Sequence, residues 1–240
     1  MKQIPILITP EQGKALIAKA IASLPEVEEA LEQGTIVVIA GTTNRYVARE
    51  LLKKIGVEDE LPLFYRGATV PRGAKLPASG NVYDVVIQKG QRVEGKTIFD
   101  MAPEMGVGDI IFKGANAVNL SAGEAGVLVG NPKLGTTLPL TEAVYGRRVK
   151  SIIPVGVEKR VELPINTLCA LSTEAESGGP RLAPLPGEVF TELEAISVLY
   201  EIEAEIFAAG GILGAEGAVY FLCSGDEEEI RRLEADLKAL

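Results

Sequence analysis

The chain has 240 residues, 47% of them hydrophobic, enough for one large or two modest cores. It contains no histidine and only two cysteines, Cys169 and Cys223, which excludes Ser-His-Asp and Cys-His nucleophile systems, His-containing or tetrathiolate metal sites and a disulfide framework. Its formal net charge of −9 argues against a nucleic-acid binder, which needs clustered Lys and Arg to follow phosphates. Thr9-Pro10-Glu11-Gln12 has the form of a capping box with proline at the first helical position, and Leu16, Ile17, Ile21 and Leu24 continue at helical spacing. A second box, Ser23-Leu24-Pro25-Glu26, opens a short acidic helix that should stop at Gly34.

Thr35-Ile36-Val37-Val38-Ile39-Ala40 is a β-branched run apolar on both faces, as in a buried strand covered by helices on each side. Gly41-Thr42-Thr43-Asn44 follows, then a helical pattern through Val47, Leu51, Leu52 and Ile55 closed by Gly56. Between Leu61 and Gly95 short alternating runs such as residues 82–87 suggest strands and turns. Residues 109–113, 127–130 and 150–155 read as strands, with a short helix over Thr141–Arg148. The Ser, Gly and Pro content of residues 172–187 marks a linker. Beyond it, Leu193, Ile196, Leu199, Tyr200 and Ile206 suggest a long helix, residues 217–223 a strand, and Asp226–Leu240 a charged terminal helix. The expected architecture is therefore α/β: a Rossmann-like, mostly parallel open sheet over residues 1–171, a linker over 172–187, and a small α+β appendage over 188–240.

Four places could carry chemistry. Gly41, Thr42, Thr43 and Asn44 lie where a buried strand opens a helix, so free amide N–H groups, two hydroxyls and the positive end of the helix dipole meet at one point. That suits a phosphate or carboxylate; the alternative is that Thr42 or Thr43 simply caps the helix. Lys113, Gly114, Ala115 and Asn116 occupy another strand end, where open parallel sheets bind ligands; Asn116 and Asn119 could instead bond their own turn. Lys159, between Glu158 and Arg160, is either an electrostatic partner for an anion or part of a solvated edge. Glu216, in the glycine-rich stretch 210–217, is a weak candidate for a catalytic carboxylate. Both cysteines read as buried thiols.

Residues 34–44, 108–118 and 153–159 together resemble the superfamily of ribose-5-phosphate isomerases, glucosamine-6-phosphate deaminases, CoA transferases and the sugar-sensing domains of bacterial repressors. The resemblance implies that the first loop cradles a phosphate. The second loop in that superfamily often reads Gly-Ala-Asp, where this chain has Asn116, and an amide cannot act as a general base. No metal or resident cofactor is implied; CoA or a sugar phosphate would enter as substrate or ligand.

The leading expectation is a protein that binds a small phosphorylated or carboxylated metabolite. One alternative is a CoA-transferase-like or isomerase-like enzyme using Glu216. Another is a non-catalytic protein whose apolar stripe at Leu193, Ile196, Leu199 and Tyr200 assembles homo-oligomers. The opening residues are too short in their apolar part for a signal peptide, and no run approaches the roughly 18 apolar residues of a spanning helix, so a cytoplasmic location without membrane or nucleic-acid partners is expected. The acidity is local: residues 187–240 hold 13 acidic and 3 basic residues, leaving 20 and 21 in the remainder.

Overall fold

The computed structural model describes residues 2–62, 64–66, 69 and 83–240. The chain opens with β1 (Lys2–Ile8), α1 (Pro10–Ala22), α2 (Pro25–Gln33), β2 (Thr35–Val38) and α3 (Thr42–Lys54). Then come the hairpin β3 (Val85–Gln88) and β4 (Gln91–Val93), the one-turn α4 (Ile98–Met101), β5 (Ile110–Phe112), β6 (Ala117–Asn119) and β7 (Glu124–Val129). The short α5 (Thr137–Thr141) runs into a π turn at Glu142–Gly146, followed by β8 (Lys150–Pro154), a 3₁₀ turn at Val157–Lys159 and α6 (Ile165–Thr173). The last elements are β9 (Arg181–Leu185), β10 (Glu188–Phe190), α7 (Glu192–Tyr200), β11 (Glu203–Ala209), β12 (Val219–Gly225) and α8 (Glu227–Ala239).

The central sheet has six strands in the order β10-β8-β5-β2-β3-β4. The first four run parallel, and the β3–β4 hairpin continues the sheet antiparallel beyond β2. This makes a mixed α/β protein with an open, mostly parallel sheet. Alternate side chains serve two cores. Ile36, Val38, Ile110, Phe112 and Ile152 point toward α1, α2, α3 and α7. Val37, Ile39, Ile111 and Ile153 point toward α4, α5 and a second, antiparallel sheet of order β6-β7-β9.

Local chemistry accounts for several boundaries. Thr9 caps α1 reciprocally: its hydroxyl accepts from the Gln12 amide at 3.3 Å, and the Gln12 side chain accepts from the Thr9 amide at 3.0 Å. The second capping box does not form. The Ser23 hydroxyl turns back to donate to the Ala20 carbonyl at 2.7 Å, closing α1, and α2 starts from Leu24 with no side-chain cap. The long helix expected through Ile206 stops at Tyr200, because Glu201 adopts a left-handed conformation (φ +52°) and Ile206 belongs to β11. Thr137–Gly146 supplies the helical segment expected over Thr141–Arg148, and residues 124–129 pair outside the central sheet. Of the run expected at 82–87, Val82 lies outside the described residues.

The region 172–240 is woven into the rest. Part of the expected linker is β9, paired with β7, and β10 joins the central sheet beside β8. Seven residue pairs join β12 to β1, a strand with no counterpart among the expected elements. Pro5 is tolerated there because β1 is the edge of the β1-β12-β11 sheet. Among the described residues, no helix is long and apolar enough to cross a membrane.

Candidate functional site

The central sheet changes direction of travel at β2. The chain leaves β2 through α3 toward β3 on one side, whereas β5, its neighbour on the other side, leads toward β8. Loops diverging from adjacent parallel strands leave a crevice beyond the carboxyl ends. The residues there are Ala40–Thr43 after β2 and Lys113–Asn116 after β5, and both segments line a cavity of about 560 Å³. That volume lies within the roughly 300–1,000 Å³ typical of small-molecule sites.

At the first loop, Gly41 holds the N-cap position of α3 in extended backbone, and no side chain caps the helix. Neither Thr42 nor Thr43 takes the capping role open to it. The first intrahelical bond is from the Arg45 amide to the Gly41 carbonyl at 2.8 Å, so the preceding amides of α3 have no helical partner. Thr42 is exposed and Thr43 buried, and both border the cavity. Asn44 lies beneath it and is almost fully buried. Its amide nitrogen donates to the Ile39 carbonyl at 2.8 Å and to the Phe112 carbonyl at 3.0 Å, riveting the ends of β2 and β5 together. Its Oδ1 is buried with no hydrogen-bond partner among the described residues, and a Cβ placed on Gly114 would lie 3.9 Å away. An orphaned acceptor of this kind costs stability unless a donor reaches it.

The second loop supplies Lys113, Gly114, Ala115 and Asn116. The Lys113 amide donates to the Ile152 carbonyl at 3.2 Å, which fixes the residue at the β5–β8 seam. No hydrogen bond or ion pair within 4 Å holds its ammonium among the described residues. Burial lowers its pKa to about 8; the neighbouring Arg66 pushes the same way and Asp84 opposes. Asn116 is tied to β7, its Oδ1 accepting from the Leu128 amide at 3.0 Å. Asn119 does not line the cavity; it bonds the Glu162 carbonyl and the Ala122 amide. Lys159 reaches the cavity from the turn after β8 and donates to the Ala115 carbonyl at 3.1 Å. Burial depresses its pKa, offset in part by Glu158.

Residues 41–43, 113–116 and 159 therefore meet at one place, Asn44 supports them from below, and Glu216 lies elsewhere. Glu216 is exposed in the β11–β12 connection, where its carboxylate accepts from the Gly214 amide at 2.9 Å. Cys223 is buried, whereas Cys169 is only half-buried. Among the described residues no group of three or more acidic or thiol side chains could hold a metal ion.

Sequence reasoning missed two walls. One holds Arg66, whose guanidinium pairs with Asp84 at 3.1 Å. The Asp84 carboxylate is completely buried and also accepts from the Ala40 amide at 3.0 Å and the Ile98 amide at 2.8 Å. Arg66 sits in irregular chain with no periodicity to mark it. The other wall runs from Val127 to Thr137. It carried a usable signal, since Gly135-Thr136-Thr137 repeats the tripeptide at 41–43 ahead of another helix. No family model, curated protein or solved structure matches this chain.

Proposed function

We propose that this chain binds a small metabolite bearing a phosphate or carboxylate, on a Rossmann-like scaffold, with the charged group between the α3 N-terminus and Lys113. One observation carries the reading. Among the described residues the cavity is lined by Arg66, Lys113 and Lys159 and by no Asp or Glu. Asp84 behind the wall is shared by Arg66 and Lys113, and Glu158 partly offsets Lys159, but among the described residues no carboxylate faces the cavity, so an entering anion meets cations alone. Uncapped amides and an ammonium with no hydrogen-bond partner among the described residues favour an anion, because charge-assisted hydrogen bonds are roughly twice as strong as neutral ones. The chemistry within reach is anion binding plus proton exchange at Lys113, whose pKa of about 8 is close to neutrality.

Thermal denaturation with inorganic phosphate, phosphate monoesters and carboxylates tests this. A ligand at 100 times its Kd raises stability by about 2.7 kcal/mol. Lys113→Met is expected to weaken binding at least tenfold, since a hydrogen bond to a charged group contributes about 1.5–3 kcal/mol. In the unsubstituted chain affinity should fall as pH rises through about 8, where Lys113 loses its proton, and Lys113→Met should lose that dependence. Absence of any stabilisation across the anion panel overturns the reading.

A further inference from the structure

The cavity that holds the cations also presents large apolar side chains, set among Asn131, Thr136 and Thr137. Phe99, Leu128 and Leu134 are 51%, 38% and 43% exposed, and all three border the cavity. Val127 and Val129 stand behind them on β7. Leu134 is held there by a tight turn: its amide donates to the Asn131 carbonyl at 3.0 Å, and its backbone is left-handed (φ +62°). A leucine is unusual in that conformation, which Asn and Gly adopt more readily. Apolar surface exposed in a concave wall gains free energy when a matching apolar body covers it.

We infer that the ligand is amphiphilic: an anionic head at Lys113 and the α3 N-terminus, joined to an aromatic or branched aliphatic body that covers Phe99, Leu128 and Leu134. This rests on the anion-binding reading above and narrows it, setting a phosphate ester of an apolar body ahead of a bare sugar phosphate. The cavity, at about 560 Å³, is far larger than an anionic head alone requires.

The test is calorimetric titration of the full chain with inorganic phosphate, glycerol phosphate and phenyl phosphate at one pH. Phenyl phosphate is expected to bind at least tenfold more tightly than glycerol phosphate. Two variants then locate the difference. Leu134→Asn removes the apolar side chain and keeps a residue suited to the left-handed turn, and Leu128→Ser acts independently on β7. Either should bring the ratio close to one while leaving the affinity for inorganic phosphate unchanged. If glycerol phosphate binds as tightly as phenyl phosphate, or if the ratio survives both variants, the amphiphilic assignment is overturned and the anion site stands. If none of the three probes binds, the phosphate head and the amphiphilic assignment fall together, and the anion reading fails as well if the carboxylates of the thermal panel also give no stabilisation.

Discussion

Glu192 shows how a single buried charge sets a pH response. Its Oε2 accepts from the Val157 amide at 2.9 Å, and its other oxygen lies against Gly13, where a Cβ would come within 2.3 Å of it. Burial raises its pKa from 4.5 to about 7; the Val157 hydrogen bond opposes, Glu158 adds to the rise and Lys159 offsets it. A carboxyl group whose pKa is raised on folding stabilises the native state fully below its unfolded pKa. That contribution disappears as pH climbs through the folded value. A displacement from 4.5 to about 7 corresponds to roughly 3 kcal/mol. Urea denaturation between pH 4.5 and 8 should therefore show stability declining over that window. Glu192→Gln, which keeps an acceptor for Val157, should flatten the decline and be the more stable protein at pH 8. Parallel pH profiles for the two chains would contradict this assignment.

Among the elements, Asp84 joins three that are distant in sequence: the end of β2 through Ala40, the start of α4 through Ile98, and the cavity wall through Arg66. Arg66 keeps part of its side chain in solvent, so the main cost of removing Asp84 falls on the Ala40 and Ile98 amides, each left unsatisfied at about 1–3 kcal/mol. Asp84→Ala should thus lower the unfolding free energy by that order, moving the urea midpoint down, and loosen the anion site. An unchanged midpoint would mean the carboxylate is dispensable. How legible such elements were depended on how much pattern each carries. β2 was plain, since Ile36, Val37 and Val38 are apolar on both faces, and the strand lies between β3 and β5 with a core on each side. The loops at 41–44 and 113–116 were legible for the same reason, as they end strands of that kind. β6 and β10, at three residues each, are too short for any period to register. At the end of α7 the information was present but misread. Ile202, Ala204 and Ile206 alternate with Glu201, Glu203 and Glu205, a two-residue period that signals a strand, while no glycine marks the helix stop. Arg66 and Asp84 meet only through tertiary folding, which no local pattern encodes.

At the scale of the molecule, the acidic C-terminal quarter and the rest share one interior. Ile196 and Tyr200 of α7, Phe221 of β12, and Ile230 and Leu233 of α8 are buried in the same core as Leu16, Ile17 and Ile21 of α1. A chain ending at Pro186 should therefore lack a cooperative melt and bind hydrophobic dye, having lost the cover over α1. A sharp thermal transition for that fragment would instead make residues 1–186 an independent unit. The pairing of β1 with β12 has a consequence for biosynthesis. Lys2 and Glu227, joined by a 2.8 Å ion pair, are 225 positions apart, and contacts of such separation form late. During translation Ile4, Ile6 and Ile8 leave the ribosome long before their hydrogen-bonding partners have been polymerised. This apolar strand thus waits without its sheet partners until β12 has been made, an interval in which an unpaired strand is prone to aggregate.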